Sequence, residues 1–552
     1  MSKLYQKKNL HNINKIALTT LITTTITMLF FYGSKASQAI TNHNISFLKL
    51  CYQQANLPAD TRITVEVLLK KAGTNDCELA NHKLLNMTQL YLTGKGIRDL
   101  KPLSSLTNLE YLNLHNNQIV DISPLARLKK LQRLYLGLNK ISDISSLKAL
   151  TNLENLHIGS NKKIADVSSL SGLKNLTWLD LHNNSITDIS QLSGLKNLTG
   201  LNLANNSIIN IRPIAELNQL SYLKLGKNTI KDISHLEKLT KLNKLYLGEN
   251  QINDISSLAE ITSLKALFLE DNQIQDIRPL ANLKNLRHLV IVFNKITDIS
   301  PLAQLTNLNF LSLRFNQIQD ITPLANLPNL ETLILEDNQI NDISSLANLT
   351  NLKSLNLEYN QIQNISTLAN LTNVKRINLK GNQVDIKSVA NLKNIESLDL
   401  TDNQITDIQP LAQLTNLTNL QLGNNQITDI QPLAKLTNLT NLQLENNQIT
   451  NIQPLAKLTN LKWLDLKGYK IQDISALTTL NQLRSLKLEG NQIQDISSLG
   501  KLENLARLNL RFNPITNLQP LSKLEKIEKI YLGDNQLLRS TCSIHGLEGC
   551  QF

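Results

Sequence analysis

Few side chains in this 552-residue sequence are of a type and spacing that could do chemistry. The nearest approach is a trio, His157, Asp180 and His182. Two imidazoles and a carboxylate suit a metal ion, but such a site needs close convergence and a fourth ligand. No glycine-rich phosphate loop, Gly-x-Ser-x-Gly elbow or metal-spaced Cys/His cluster occurs. Catalysis also needs an enclosed pocket holding groups of shifted pKa, so neither an enzyme nor a bound cofactor or metal is expected. The remaining reactive groups are four cysteines, Cys51 and Cys77 near one end and Cys542 and Cys550 near the other. Local pairing, Cys51 with Cys77 and Cys542 with Cys550, would staple both ends in an oxidising compartment. Four free thiols in a reducing one is the alternative.

What positions these residues is a repeat. Leu128, Leu131, Leu134, Leu136, Asn139, Ile141, Ile144 and Leu147 set a frame that restarts at Leu150, Leu173, Leu195 and Leu217, and onward to Leu524. From Leu84 there are about 21 units, almost all 22 residues long. Leu134 and Leu136 alternate with variable residues, which predicts one short strand per unit with its leucines facing inward. The recurrent Asn (Asn117, Asn139, Asn161, Asn184) follows each strand where the chain turns, and its amide can bond the backbone of adjacent units. Ser123-Pro124, Ser300-Pro301 and Thr322-Pro323 read as an N-cap and first residue of a short helical turn. The expected fold is therefore an α/β solenoid, a horseshoe with a concave parallel sheet and short 3-10-type turns on its convex side. Irregularities are few: one extra residue in Asn161-Lys-Lys-Ile164, one missing in Asn382-Gln-Val-Asp-Ile386, and Lys95 and Tyr469 in place of the Asn. Tyr469 is too large for the amide's slot and is expected to turn outward.

Leu-x-x-Leu-x-Leu-x-x-Asn is the leucine-rich-repeat signature. The second half of each unit, as in Asp276-Ile-Arg-Pro-Leu280 and Asp429-Ile-Gln-Pro-Leu433, resembles the 22-residue subclass shared by bacterial internalins and phosphatase-regulator-type proteins. The resemblance spans residues 84–541, over four fifths of the chain. It implies the fold and leaves the ligand open. The cysteine-bearing ends are more similar to exported bacterial relatives, although Leu547-Glu-Gly-Cys-Gln-Phe552 carries no wall-sorting motif.

The ends complete the organisation. Lysines up to Lys15 precede an uncharged run from Ile16 to Tyr32, and Ser37-Gln38-Ala39 offers small residues for cleavage. Residues 1–39 thus have the layout of a secretory signal peptide, or of an uncleaved anchor. Either places the rest outside the cytoplasm. Residues 40–83 break the repeat; Phe47 to Gln54 and Thr61 to Ala72 have helical apolar spacing, with Gly73 as a stop. They read as a helical cap of the kind repeat arrays need. Residues 542–552 would cap the other end. The net charge of +12 includes five leader lysines, and the rest shows no clustered basic face, so nucleic-acid binding is not expected.

Four positions per unit face the concave side: one before the first strand leucine, one between the two, and two after. Of 15 aromatic residues between 84 and 537, 14 occupy these positions. Aromatics favour strands, and solvent-facing ones anchor binding surfaces. They concentrate, with charges, in five consecutive units. These present Phe268, Glu270 and Asp271; His288, Val290, Val292 and Phe293; Phe310, Arg314 and Phe315; Ile334, Glu336 and Asp337; and Glu358 and Tyr359. This is the expected partner surface, with a protein as first ligand class and a glycan as second. Weaker candidates are Tyr222, Lys224, Lys227, Lys244 and Tyr246, and the pairs Trp178 with Asp180 and Trp463 with Asp465. The expected function is non-catalytic recognition by a monomer that meets a membrane only through an uncleaved leader. A rigid spacer or an intracellular phosphatase-type regulator is the alternative.

Overall fold

The computed structural model describes residues 46–533 except Tyr469, together with Asn535 and the backbone of Cys550–Gln551. The leader, the outward turn of Tyr469 and the Cys542–Cys550 pairing lie outside these described residues. The chain divides into two units, one ending at Asn197 and one beginning at Leu198.

The first unit opens with helices α1 (Phe47–Tyr52), α2 (Ala59–Ala72) and α3 (Cys77–Leu85). Local chemistry sets their ends. The Ser46 hydroxyl accepts from the Lys49 N–H and the Asp76 carboxylate from the Leu79 N–H, and each satisfies an orphan donor of the first turn. Gly73 closes α2 in the left-handed region at φ 69°. Apolar spacing does not announce α3, which carries helix to Leu85. Phe47, Val65, Leu68 and Leu84 are fully buried in this cap, and a Cys51–Cys77 disulfide ties α1 to the start of α3.

Five strands follow in the first unit: Gln89–Tyr91, Tyr111–Asn113, Arg133–Tyr135, Asn155–His157 and Trp178–Asp180. All pair in parallel, with Gln89 opposite Tyr111 and Leu134 opposite Leu156. The second unit holds sixteen repeat strands, from Gly200–Asn202 to Lys529–Tyr531, and the short strand Cys550–Gln551 pairs with the last of them. Between successive strands the chain makes one 3-10 turn, as at Ser300–Gln304 and Thr322–Asn326.

The core of each repeat is aliphatic. Leu308, Leu311, Leu313, Ile318, Ile321 and Leu324 are all buried, and each such side chain contributes about 1.5–3 kcal/mol on leaving water. The recurrent Asn solves the polar problem of the turn. Asn316 donates its amide to the carbonyls of Ile291 (2.8 Å) and Leu313 (2.9 Å) and accepts from the Ile296 N–H (3.1 Å). A second asparagine, in Thr-Asn-Leu, does a similar job on the other side: Asn307 donates to the Lys284 carbonyl at 2.8 Å. The sequence reading passed over that ladder.

The turn caps differ from expectation. Ser300 and Thr322 are the first residues of their turns and their prolines the second. The capping group is the preceding aspartate: Asp298 accepts from the Ser300 N–H and Asp320 from the Thr322 N–H, both at 2.8 Å. A carboxylate two residues back reaches the first free N–H, as Asx turns do. This accounts for the Asp of Asp-Ile-x-Pro-Leu.

Both length irregularities are absorbed away from the strands. The extra residue near Lys163 leaves Leu156 opposite Leu179, and Lys162 takes a second left-handed conformation at φ 63°. The short unit keeps Ile377 opposite Leu398 by lengthening its turn to Ile386–Asn391.

Candidate functional site: the face of the parallel sheet

The residue just before the buried Asn is left-handed in nearly every repeat, with φ between 48° and 60° where it is not glycine. For an L-residue this conformation costs about 1–2 kcal/mol, least for Asn. Many repeats meet it with Asn116, Asn205, Asn424 or Asn446. Two neighbouring repeats place Phe293 (φ 52°) and Phe315 (φ 53°) there, and Tyr359 follows two units on at 48°. The turn itself favours none of the three. Their rings point away from the core, and Phe293 and Tyr359 are 51% and 41% exposed.

Around these rings the structure assembles most of the predicted residues. Phe293 and Phe315 stack at 4.0 Å, within 8° of parallel. The Arg314 guanidinium lies 4.7 Å from the Phe315 ring and donates to Glu336 at 2.9 Å. Glu336 also accepts from Asn356 at 3.1 Å. One unit further, Glu358 holds Lys380 at 3.1 Å and Asn378 at 2.8 Å, and Lys380 lies 4.8 Å over Tyr359. His288 faces Phe310 at 6.1 Å in the first column of the frame, three positions removed from the Phe293 column, and Val290 and Ile334 are half-buried in the column between the strand leucines. Phe268 is separate from the phenylalanine pair and stacks instead on Tyr246 at 4.4 Å. Val292 is only 9% exposed. It is a short side chain flanked in register by Glu270 and Arg314, and it offers little surface.

Three carboxylates here are held above their ordinary range. Burial raises Glu270, Glu336 and Asp337; neighbouring acids add to this, Glu358 acting on Glu336 and Asp337. Lys380 is raised, first by its bond to Tyr359 and then by Glu358. Lys380, Asn356 and Asn378 were missed in the sequence; their only signal was a place on the frame next to the acids they bind.

The weaker candidates resolve differently. Lys224 lies 4.6 Å over Tyr246, and Lys227 pairs with Glu249 at 3.1 Å, so this basic group is partly self-neutralised. Lys487 occupies both Trp463 (5.3 Å) and Asp465 (2.9 Å), leaving Asp465 buried. In the first unit the trio does meet: Asp180 lies 2.7 Å from His182 Nδ1 and 3.6 Å from His157 Nδ1. Burial opposes its charge, but bonds from both imidazoles hold Asp180 well below the usual carboxylate range. Among the described residues no group of three or more His, Cys, Asp or Glu side chains is arranged to hold a metal. The sequence reading also missed a ladder of rings in the first unit. Tyr91, Tyr111, Tyr135, His157 and Trp178 follow one another at 4.7, 5.3, 4.5 and 6.2 Å.

The family model described as "Leucine Rich repeats (2 copies)" matches segments from 85–127 to 481–523, together more than half of the chain, and a second, "Leucine rich repeat", matches 437–493. The chain belongs to the leucine-rich-repeat family. Members of this family are generally non-catalytic binding scaffolds, typical of protein–protein interaction domains. No curated protein matches this leucine-rich-repeat chain. Among solved structures it is similar to the internalin InlF of Listeria monocytogenes, at 34% identity over 65% of this chain and 87% of that one, with a TM-score of 0.36. It is similar to a leucine-rich-repeat protein of Leptospira interrogans at 24% identity, covering 77% and 96%, with a TM-score of 0.54. It also shares its fold with the Arabidopsis receptor kinase HAESA, solved with the peptide hormone IDA and the co-receptor SERK1 (21% identity, 84% of each chain, TM-score 0.56). Among the described residues no helix is long and apolar enough to cross a membrane.

Proposed function

We propose that this leucine-rich-repeat protein acts outside the cytoplasm and recognises another protein through the sheet face between residues 268 and 359. In this reading residues 1–39 direct export, 40–83 and 542–552 cap the array, and the 22-residue units belong to the internalin-like subclass. The observation that carries the binding site is the placement of Phe293 and Phe315. Two phenylalanines occupy a left-handed position that Asn fills at lower cost, and Phe293 remains half exposed. Leu138 and Phe512 share this left-handed position, so what sets Phe293 and Phe315 apart is that their strain coincides with a 4.0 Å stack, and exposed stacked aromatics beside a positioned arginine are the usual anchors of an interface. The Cys51–Cys77 disulfide supports an oxidising location.

The test is a pull-down from native extracellular and surface material with residues 40–552, beside a Phe293→Asp/Phe315→Asp variant. Aspartate tolerates the left-handed turn better than phenylalanine does, so the variant keeps the fold. A protein retained by the native chain and lost by the variant supports the site. Equal recovery with both chains sinks it and favours the spacer role.

A further inference from the structure

We infer that the segment bound by this face is an extended, basic stretch, with an apolar residue seated on Phe293 and Phe315 and a Lys or Arg on either side. The inference rests on the proposed recognition site and names the chemistry of its partner.

The carrying observation is an order of residues across the sheet. At the left-handed position, successive units present Asp271, Phe293, Phe315 and Asp337. An aromatic pair is thus bracketed by acids, and Glu270 and Glu336 stand beside them one residue earlier in the chain. The cations on this stretch are already engaged. Arg314 is held by Glu336 and Phe315, and Lys380 by Glu358 and Tyr359. No ion pair forms at Glu270, Asp271 or Asp337 among the described residues, and one carboxylate oxygen of Glu270 is buried without a hydrogen-bond partner. Burial raises both Glu270 and Asp337, and separate neighbouring acids add to it, Glu249 and Asp271 at Glu270 and Glu358 at Asp337, the condition that an incoming cation relieves.

An acidic partner would meet repulsion from Asp271 and Asp337, one on either side of the aromatic pair. A polar, uncharged partner would leave the bracket of charges unused. A basic segment satisfies both halves of the surface, because a cation near an aromatic ring is attracted to its face and a carboxylate adds a charge-assisted bond. The spacing sets the pattern. Asp271 and Asp337 stand three units apart, about 14 Å at the usual distance between strands. An extended chain covers that span in about four residues. The expected motif is therefore basic, then an apolar residue near the centre, then basic about four positions from the first.

The substitutions that test this are mild. Asn occupies the same left-handed position in other repeats, so Asp271→Asn/Asp337→Asn removes charge and keeps the turn. The experiment is selection from a random linear-peptide library displayed on phage, against the full chain with the Phe293→Asp/Phe315→Asp chain as a parallel target. Enriched peptides carrying the basic–apolar–basic pattern, weakened roughly tenfold by Asp271→Asn/Asp337→Asn and by raised salt, support the inference. Enriched peptides without basic residues that still fail on the Phe293→Asp/Phe315→Asp chain overturn the basic partner and leave the site standing. Peptides that bind both chains equally overturn the site as well. No enrichment over the empty support overturns an extended segment as the ligand.

Discussion

Arg314 reaches across one repeat to Glu336, 2.9 Å away, and lies against Phe315 as it does so. The contact fixes a side chain that would otherwise sample many rotamers, and it holds the Phe315 ring upright beside Phe293. Preorganisation of this kind lowers the entropy lost on binding. Replacing Arg314 by Ala is therefore expected to weaken partner binding more than it weakens the fold. Arg314 is more than a third exposed, so solvent screening limits the stability loss to below about 1 kcal/mol. Thermal melting and binding of the two chains, measured side by side, check this; a melting shift larger than the binding loss would refute it.

Asn316 carries a heavier burden. Its loss in Asn316→Ala leaves the Ile296 N–H and the Ile291 carbonyl without their partner in a buried turn, whereas the Leu313 carbonyl keeps its bond from Asn338. The expected cost is about 2–3 kcal/mol, read as a lower urea midpoint. Because each repeat contacts only its neighbours, hydrogen exchange should rise in the units around Asn316 before distant ones. Uniform exchange along the chain would contradict that.

Leu138 takes the left-handed position at φ 55° and is 49% exposed. Leu138→Asn relieves backbone strain and gives up little burial, so a gain of about 0.5–1 kcal/mol is expected in denaturant unfolding. Phe293→Asn should gain less, because the stack on Phe315 is lost, an offset of about 0.5–1.5 kcal/mol. Equal gains at both sites would mean that the stack contributes nothing.

Asp180 and Asp337 are expected to respond oppositely to acid. Asp180 is held below its unfolded value, so its stabilising effect is present above about pH 4 and is lost as pH falls toward its folded pKa. Asp337 is raised, so it opposes folding at neutral pH and that penalty shrinks as pH falls through its folded pKa. Asp180→Asn should therefore lower stability at pH 7 and flatten its decline in acid, whereas Asp337→Asn should leave stability at pH 7 unchanged or slightly higher. Calorimetric melts of the two variants between pH 3 and pH 7 decide the signs.

Removing the disulfide with Cys51→Ser/Cys77→Ser opens a loop with a sequence separation of 26 and is expected to cost about 3 kcal/mol. The loss should fall on α1, α2 and α3, seen as early proteolysis within residues 46–85. Cleavage spread evenly through the repeats would argue against an end cap.

The strands and the buried Asn were legible because a 22-residue period leaves one way to bury Leu311, Leu313 and their equivalents while satisfying the turn after them. The Asp298 and Asp320 caps were misassigned to Ser300 and Thr322, two residues on, since Asp, Ser and Thr can all cap and sequence alone does not rank them. Lys380 was overlooked because a lysine at a face position is ordinary until its neighbours in space, Glu358 and Tyr359, are known. The Tyr91-to-Trp178 ladder was hidden because its rings are spread over two frame positions. Val292 was read as surface on position alone, whereas exposure depends on the length of the flanking side chains.

The extra residue beside Lys162 changes the turn and leaves the pairing of Leu156 with Leu179 intact. That point on the chain is thus insulated: length can be added there without rewriting the sheet. A fluorophore-bearing cysteine or a short affinity tag placed between Lys162 and Lys163 would report on the protein in place and leave the face around Phe293 untouched.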